Sequence, residues 1–326
     1  MTQNEVSDRG ARALYETLAK YLPYIDDPEI TDVYLNDDGG LWTQRWGGWP
    51  LLVEERFSIS AAESILRLVA GQSGQEVTTK SPRLAAELPD GTRLQGFIPP
   101  VTTRPVFVLR LHRQTNISLG DYVSQEFMTA EAANWIRAAL KERRNILIAG
   151  PTGTGKTTLA NAILKELEQS YDRVAILEDM RELRCPAPNT LSLRSSAAVG
   201  LRQLVQDVLR VKPDRIVVGE IRSGIVAREL LNAWNTGHPG GLATIHADSA
   251  MDALRRLEHL LSEEYQVPPR HLVGRAIQEV LFIGRRSARP YLGSRVTVGW
   301  DEEADTYRTE VRRDRSPLAQ SLGTDS

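Results

Sequence analysis

The sequence predicts an α/β protein in two parts. A small α/β module comes first, then a larger domain whose mainly parallel sheet carries helices on both faces. Three observations predict it. From about residue 125 onward, helical and strand-like segments alternate, the pattern of a parallel sheet with crossover helices. A glycine-rich loop at 150–157 joins a short buried strand to a helix. Between the two parts, residues 114–124 (QTNISLGDYVS) are polar and contain glycine, and they read as an interdomain linker. The expected limits are 1–115 for the first domain, 116–124 for the linker and 125–315 for the second domain. Residues 316–326 are expected to form a disordered polar tail.

Composition narrows the class. The chain has 326 residues, 41% hydrophobic and 25% charged, with 40 Lys and Arg against 42 Asp and Glu. That is an ordinary globular balance at a length that allows a core of normal size. A net charge of -2 argues against a protein whose main task is gripping nucleic acid through its phosphates. Cys185 is the only cysteine, so neither an internal disulfide nor a multi-cysteine zinc site can form. This suits a reducing cytoplasm. The first ten residues (MTQNEVSDRG) lack the basic start and apolar run of a signal peptide. No stretch approaches the ~18 apolar residues of a membrane span.

The elements follow in order. Residues 11–24 place Leu14, Leu18 and Leu22 on one face of a core-facing amphipathic helix. Residues 29–49 alternate as strands about the turn Asn36-Asp37-Asp38-Gly39-Gly40, with tryptophans expected to pack on a sheet face. Residues 60–71 read as a helix with a Ser60 cap, Glu63 as its box partner and a Gly71 stop. Residues 84–113 are strand-like, turned at Asp90-Gly91, broken at Pro99-Pro100, and punctuated by Arg93, Arg104, Arg110 and Arg113. In the second part, helices are expected at 129–144, 158–167, 197–211, 224–235 and 267–280. Another opens at Ser249, boxed by Asp252. Strands are expected at 146–149, 173–179, 191–194, 215–220 and 241–247. An antiparallel meander over 280–312 closes the domain.

The stretch Gly150-Pro151-Thr152-Gly153-Thr154-Gly155-Lys156-Thr157-Thr158 fits G-x-x-x-x-G-K-[ST], the phosphate-binding loop. The glycines let the backbone turn its N–H groups toward an anion, and the following helix adds the positive end of its dipole. Lys156 is a point charge for β- and γ-phosphates, and the Thr157 hydroxyl is a Mg²⁺ ligand. ATP with Mg²⁺ is the expected ligand pair.

Ligands of open α/β sheets sit beyond the carboxyl ends of the strands. Glu178 and Asp179, then Glu220, then His246 end the other expected strands. Phosphoryl transfer to water needs Mg²⁺ placement, a positioned water and compensation of γ-phosphate charge. Glu220 ends an apolar run as a Walker-B acid does, with Gly219 where an aspartate is usual. Either Glu178 or Glu220 can polarise the attacking water while the other holds the metal shell. A neutral His246 can hydrogen-bond the γ-phosphate and report its loss.

The motifs GPTGTGKTT, AILEDMREL, VKPDRIVVGEIR and NTGHPGGLATIHADSA occur in this order. Together they resemble the traffic ATPases of type IV secretion and conjugal transfer, with type II secretion and type IV pilus motors as cousins. The resemblance spans roughly Leu84 to Val280, and AWNTGHPGGLATIH looks most like the TrbB-type secretion ATPases. It implies a RecA-like P-loop domain beneath an N-terminal domain, a homo-hexameric ring, and nucleotide at the seam. It implies an Asp box at Glu178, Asp179 and Glu182, a Walker B strand ending in Gly219-Glu220, and a His box with His238 and His246. Arg93 and Arg110 fall where the family places γ-phosphate-contacting arginines; Arg104 and Arg113 fit less closely. The implied partners are inner-membrane secretion or conjugation subunits and companion ATPases, reached from the cytoplasmic face of the inner membrane, with peripheral membrane association through those partners. The implied work is pilus assembly or substrate export. Two other readings compete: a type IV pilus or type II secretion motor, and a nucleotide-dependent nucleic-acid-binding module. The absence of a four-cysteine set bears on the first, and the acidic balance on the second.

Overall fold

The computed structural model describes residues 14–45, 48–88, 90–111, 117–196, 198–286 and 289–314. It divides into two compact units, residues 1–114 and 115–326.

In the first unit, residues 14–21 are helical (α1) and a tight turn follows at Pro23–Asp26. Then come β1 (Ile30–Leu35), β2 (Leu41–Arg45), β3 (Leu51–Glu54), α2 (Ile59–Gln72), β4 (Arg83–Glu87), β5 (Arg93–Phe97) and β6 (Val106–Arg110). The six strands form one sheet in the order β3-β2-β1-β6-β5-β4, with antiparallel neighbours. The β1–β2 turn closes where expected: Gly39 takes φ 92° and the Asp38 carboxylate accepts the Gly40 N–H. Alternate residues face the core. Val33, Leu35, Leu41, Leu94, Phe107 and Leu109 pack on Leu14, Leu18 and Leu22 of the N-terminal helical segment and on Ile65, Leu66 and Val69 of α2. Each fully buried Leu or Ile contributes about 2 kcal/mol. The helix at 59–72 is capped differently from the expectation. Ser58, not Ser60, is the cap, its hydroxyl accepting the Ala61 N–H, and Glu63 pairs with Arg67 instead. Gly71 lies inside the helix. The left-handed turn falls to Gly74 (φ 65°). Trp42 sits in the ladder opposite Tyr34, as a sheet-face residue should, but Trp49 is 88% exposed. Trp46 and Arg113 lie outside the described residues.

The second unit begins inside the stretch read as linker. Residues Leu119–Ser124 form a short helix, α3, because Ser118 and Asp121 close a reciprocal capping box. Its Leu119 and Tyr122 are buried in this unit's core. There follow α4 (Ala130–Lys141), β7 (Ile146–Ala149), α5 (Lys156–Lys165), β8 (Val174–Glu178) and β9 (Thr190–Arg194). Next come α6 (Leu201–Val208), β10 (Arg215–Val218), α7 (Gly224–Asn235), β11 (Leu242–Ile245) and α8 (Ala250–Leu261). Last are α9 (Arg270–Ala276), β12 (Glu279–Arg286), β13 (Arg289–Asp301) and β14 (Thr306–Arg313). The sheet order is β14-β13-β12-β7-β11-β10-β8-β9. The six strands from β12 to β9 are parallel, and β13 and β14 add antiparallel.

Alternation shows why helices cover both faces. In β7, Leu147 and Ala149 join one cluster with α6, α7, α8 and α9, while Ile146 and Ile148 join another with α3, α4 and α5. Strands buried on both faces must read as continuous apolar runs, as ILIA, VAILE and RIVV largely do. The helix expected at 267–280 is shorter. Pro268 and Pro269 delay its start, and Ile277 is already extended ahead of β12. The Ser249 cap with Asp252 is present. The tail at 316–326 lies outside the described residues.

Candidate functional site

The loop after β7 is shaped by positions that tolerate no side chain or an unusual φ. Gly153 (φ 73°) and Gly155 (φ 88°) take left-handed conformations that L side chains avoid. A Cβ at Gly150 would stand 2.6 Å from the Ile283 carbonyl oxygen. The loop thus leads tightly into α5, whose first N–H groups have no intrahelical acceptor. Lys156 opens that helix and is largely buried. Its ammonium donates to the Gly150 and Pro151 carbonyls, both at 2.9 Å, and approaches His246 Nδ1 at 3.3 Å. Thr154 donates to Pro151 O at 2.9 Å, closing the loop on itself. Thr157 and Thr158 sit in the first turn of α5, half-buried. Burial holds the Lys156 pKa below the usual lysine range, with the Glu220 carboxylate opposing that fall.

The neighbouring strands supply the rest. β11 lies beside β7 and β10 beside β11, so His246 and Glu220 emerge at the same carboxyl edge as the loop. Thr244 Oγ1 donates to Gly219 O at 2.6 Å, and Ile221 N donates to Thr244 O at 2.9 Å; these bonds tie the two strand ends together. His246 Nε2 lies 2.7 Å from Glu220 Oε1, yet out of line for a hydrogen bond. That buried oxygen therefore has no hydrogen-bond donor among the described residues. Glu220 Oε2 accepts from Arg222 Nε at 2.8 Å and pairs with its Nη2 at 2.5 Å. His246 is held below its ordinary pKa, first by burial and then by the Lys156 charge. It is therefore neutral. Because an ammonium can only donate, Nδ1 accepts from Lys156 and the ring proton sits on Nε2, toward Glu220.

Glu178 ends β8, one strand further along, and is buried. Burial pushes its pKa up to about 7, even though its Oε1 accepts the Glu182 and Leu183 N–H groups at 3.1 and 2.8 Å. Its side chain also explains the missing aspartate. A Cβ at Gly219 would meet Glu178 Cγ at 3.2 Å and Oε1 at 3.4 Å, so the space is already filled.

The phosphate loop, His246 and Glu220 are thus brought together, with Glu178 on the adjacent strand end. His238 is not among them. Its Nδ1 lies 2.9 Å from Pro213 O, ahead of β10, at the amino edge of the sheet. Arg93 and Arg110 are directly paired across β5 and β6 in the first unit. Arg110 there donates to Asp32 at 3.1 Å. Arg104 points back to the Asp38 and Phe57 carbonyls, a turn-holding role. Arg222 and Asn161 had no place in the sequence reading. Arg222 could have been found from its spacing, two residues past Glu220.

No three His, Cys, Asp or Glu side chains among the described residues could hold a metal by themselves. The donor set instead fits Mg²⁺ that arrives with a triphosphate, since Mg²⁺ takes one or two protein ligands and completes its shell with phosphate and water. The Glu220 oxygen without a donor and the Thr157 hydroxyl are oxygen ligands of the kind such an ion takes. The Lys156 ammonium donates to neutral carbonyl acceptors, which leaves its charge unmatched by a hydrogen-bonded anion among the described residues.

The family model for type II/IV secretion system proteins matches residues 59–281. A probable conjugal transfer protein TrbB from Sinorhizobium fredii (strain NBRC 101917 / NGR234) is 41% identical over 324 residues, spanning 97% of this chain and 99% of that one. The type IV secretion system protein VirB11 of Bartonella quintana (strain Toulouse) is 28% identical over 306 residues, spanning 81% and 85%. Among solved structures, the Legionella pneumophila ATPase DotB shares the fold at a TM-score of 0.65 and 19% identity, over 89% of this chain and 82% of that one.

Proposed function

This chain belongs to the type II/IV secretion system protein family and is an ATPase, and from that premise we propose that its work is conjugal transfer through a type IV secretion apparatus. The 41% relative carries a conjugal-transfer name over nearly the whole of both chains. At the site, one observation supports the reading most: Lys156, His246 and Glu220 form a contiguous series across the carboxyl ends of β7, β11 and β10.

The residues take these roles. Loop N–H groups from Gly150 to Thr158 and the Lys156 ammonium bind the β- and γ-phosphates. The Thr157 hydroxyl and Glu220, largely through water, hold Mg²⁺, which when bound neutralises charge on those phosphates. Either Glu220 or Glu178 orients the attacking water. His246, neutral, donates Nε2–H toward the reacting phosphate or Glu220 and so reads which is present. Arg93 and Arg110, supplied by a neighbouring copy, compensate charge on the transferring group. Six copies form the ring, and hydrolysis around it drives the movement that assembles the pilus or exports substrate. The ring works at the cytoplasmic face of the inner membrane, held there by secretion subunits and companion ATPases. No helix among the described residues is long and apolar enough to cross a membrane.

Mating assays in a strain lacking its own copy test the reading. The wild-type chain restores transfer and Lys156→Ala does not. Restored twitching with no restored mating would replace the proposal with a pilus motor. Sedimentation with ATP and Mg²⁺ gives the subunit count, and a species smaller than a hexamer at every concentration contradicts the ring. Mixing Arg93→Ala or Arg110→Ala with Lys156→Ala protein restores part of the turnover if the arginines act between copies. Silence at every mixing ratio removes that role.

A further inference from the structure

We propose that Arg222 is a positioning residue for Glu220. The proposal rests on the reading of Glu220 as part of the hydrolytic site. Arg222 grips one carboxylate oxygen with two nitrogens, Nε at 2.8 Å and Nη2 at 2.5 Å, both on Oε2. That grip fixes the carboxylate plane and leaves Oε1, buried and without a donor, turned to the His246 side. An isolated surface ion pair would explain the contact but not this asymmetry, in which one oxygen is doubly held and the other is left bare.

Nearby acids favour the charged guanidinium of Arg222. Glu220 stabilises its charged form most, and Asp179 and Glu182 add to the effect from the loop after β8. That loop is pinned at four points. Glu178 Oε1 takes the N–H groups of Glu182 and Leu183. Asn161 of α5 donates to Glu182 O at 2.9 Å and accepts from Arg184 N at 2.8 Å. Ser195 donates to Asp179 Oδ1 at 2.8 Å. Asn161 stands on the same helix that Lys156 opens. Named hydrogen bonds therefore run from the phosphate-binding helix through Asn161 to the loop after β8.

The test is a double-mutant cycle on Arg222→Gln and Glu220→Gln, with Arg222→Lys as the conservative variant. Arg222 is exposed, its side chain 65% accessible, so the fold tolerates the changes, and a melting curve confirms it. Turnover and equilibrium binding of a fluorescent ATP analogue are both read. Arg222→Gln lowers kcat by about 10- to 100-fold, the usual cost of losing an outer-shell partner, while the dissociation constant stays within about twofold. Arg222→Lys, which can still hold one oxygen, recovers part of kcat. In the Glu220→Gln background the further change Arg222→Gln has no effect, because the group it positions is gone. An equal loss from Arg222→Gln in both backgrounds overturns the positioning role alone. So does a loss of binding that matches the loss of turnover. Full turnover in Glu220→Gln by itself overturns the site assignment, and the positioning role with it.

Discussion

Glu178→Gln should make the protein more stable, and only above acidic pH. The carboxyl is 4% exposed, and burial pushes its pKa from 4.5 up to about 7 against the pull of two backbone N–H donors. At ~1.4 kcal/mol per tenfold, ionising it in the folded state costs about 3 kcal/mol. The folded pKa lies above the unfolded one, so the native state binds the proton more tightly. The associated stability is complete below pH 4.5 and is lost as pH rises through 7. Glutamine keeps an oxygen for the Glu182 and Leu183 N–H groups and removes the charge. Urea denaturation should therefore show the variant up to about 3 kcal/mol more stable at pH 8 and close to wild type at pH 4.5. A variant less stable than wild type at pH 8 but matching it at pH 4.5 would refute this reasoning, because it would mean that the charge is stabilised where it sits.

Other expectations follow from the same geometry. Gly219→Asp, which restores the aspartate usual in Walker B strands, puts a Cβ 3.2 Å from Glu178 Cγ and a second carboxylate beside a buried one; thermal melting should show a loss of roughly 3 kcal/mol or more. An unchanged melting temperature contradicts the packing account. Gly150→Ala drives a methyl to 2.6 Å from the Ile283 carbonyl, and isothermal titration should show nucleotide affinity reduced together with stability. Unaltered affinity would mean the loop has another way to turn. His246→Ala should lower kcat by about 10- to 100-fold with little change in melting temperature, since the side chain is 45% exposed and ties no core elements. A loss confined to KM would limit His246 to ground-state binding.

Much of this was legible because the signals are local. A strand buried on both faces must be a continuous apolar run, so ILIA, AILE and RIVV announce the parallel sheet, and the strand order then gathers their polar ends. The glycine-lysine loop carries its own backbone requirement. What escaped depends on side chains meeting across elements. Residues 114–124 read as linker by composition, but the Ser118–Asp121 box overrides composition and closes a helix. Ser60 reads as the cap because Glu63 follows three residues on, yet it is the Ser58 hydroxyl that meets a free N–H, that of Ala61. His238 and His246 lie eight residues apart in one motif, yet β11 runs between them and carries them to opposite edges of the sheet. Gly219 looked like a missing acid. It is a space filled by Glu178 from the neighbouring strand, which no one-dimensional pattern displays.

The central claim is that a triphosphate is bound by the loop at Lys156 and cleaved under Glu220. Equilibrium titration of a fluorescent ATP analogue, with turnover measured on the same samples, tests it most directly. Glu220→Gln should bind within about threefold of wild type while hydrolysing at least ~100-fold more slowly, and Lys156→Ala should bind at least ~100-fold more weakly. Wild-type affinity in Lys156→Ala, or wild-type turnover in Glu220→Gln, would contradict it.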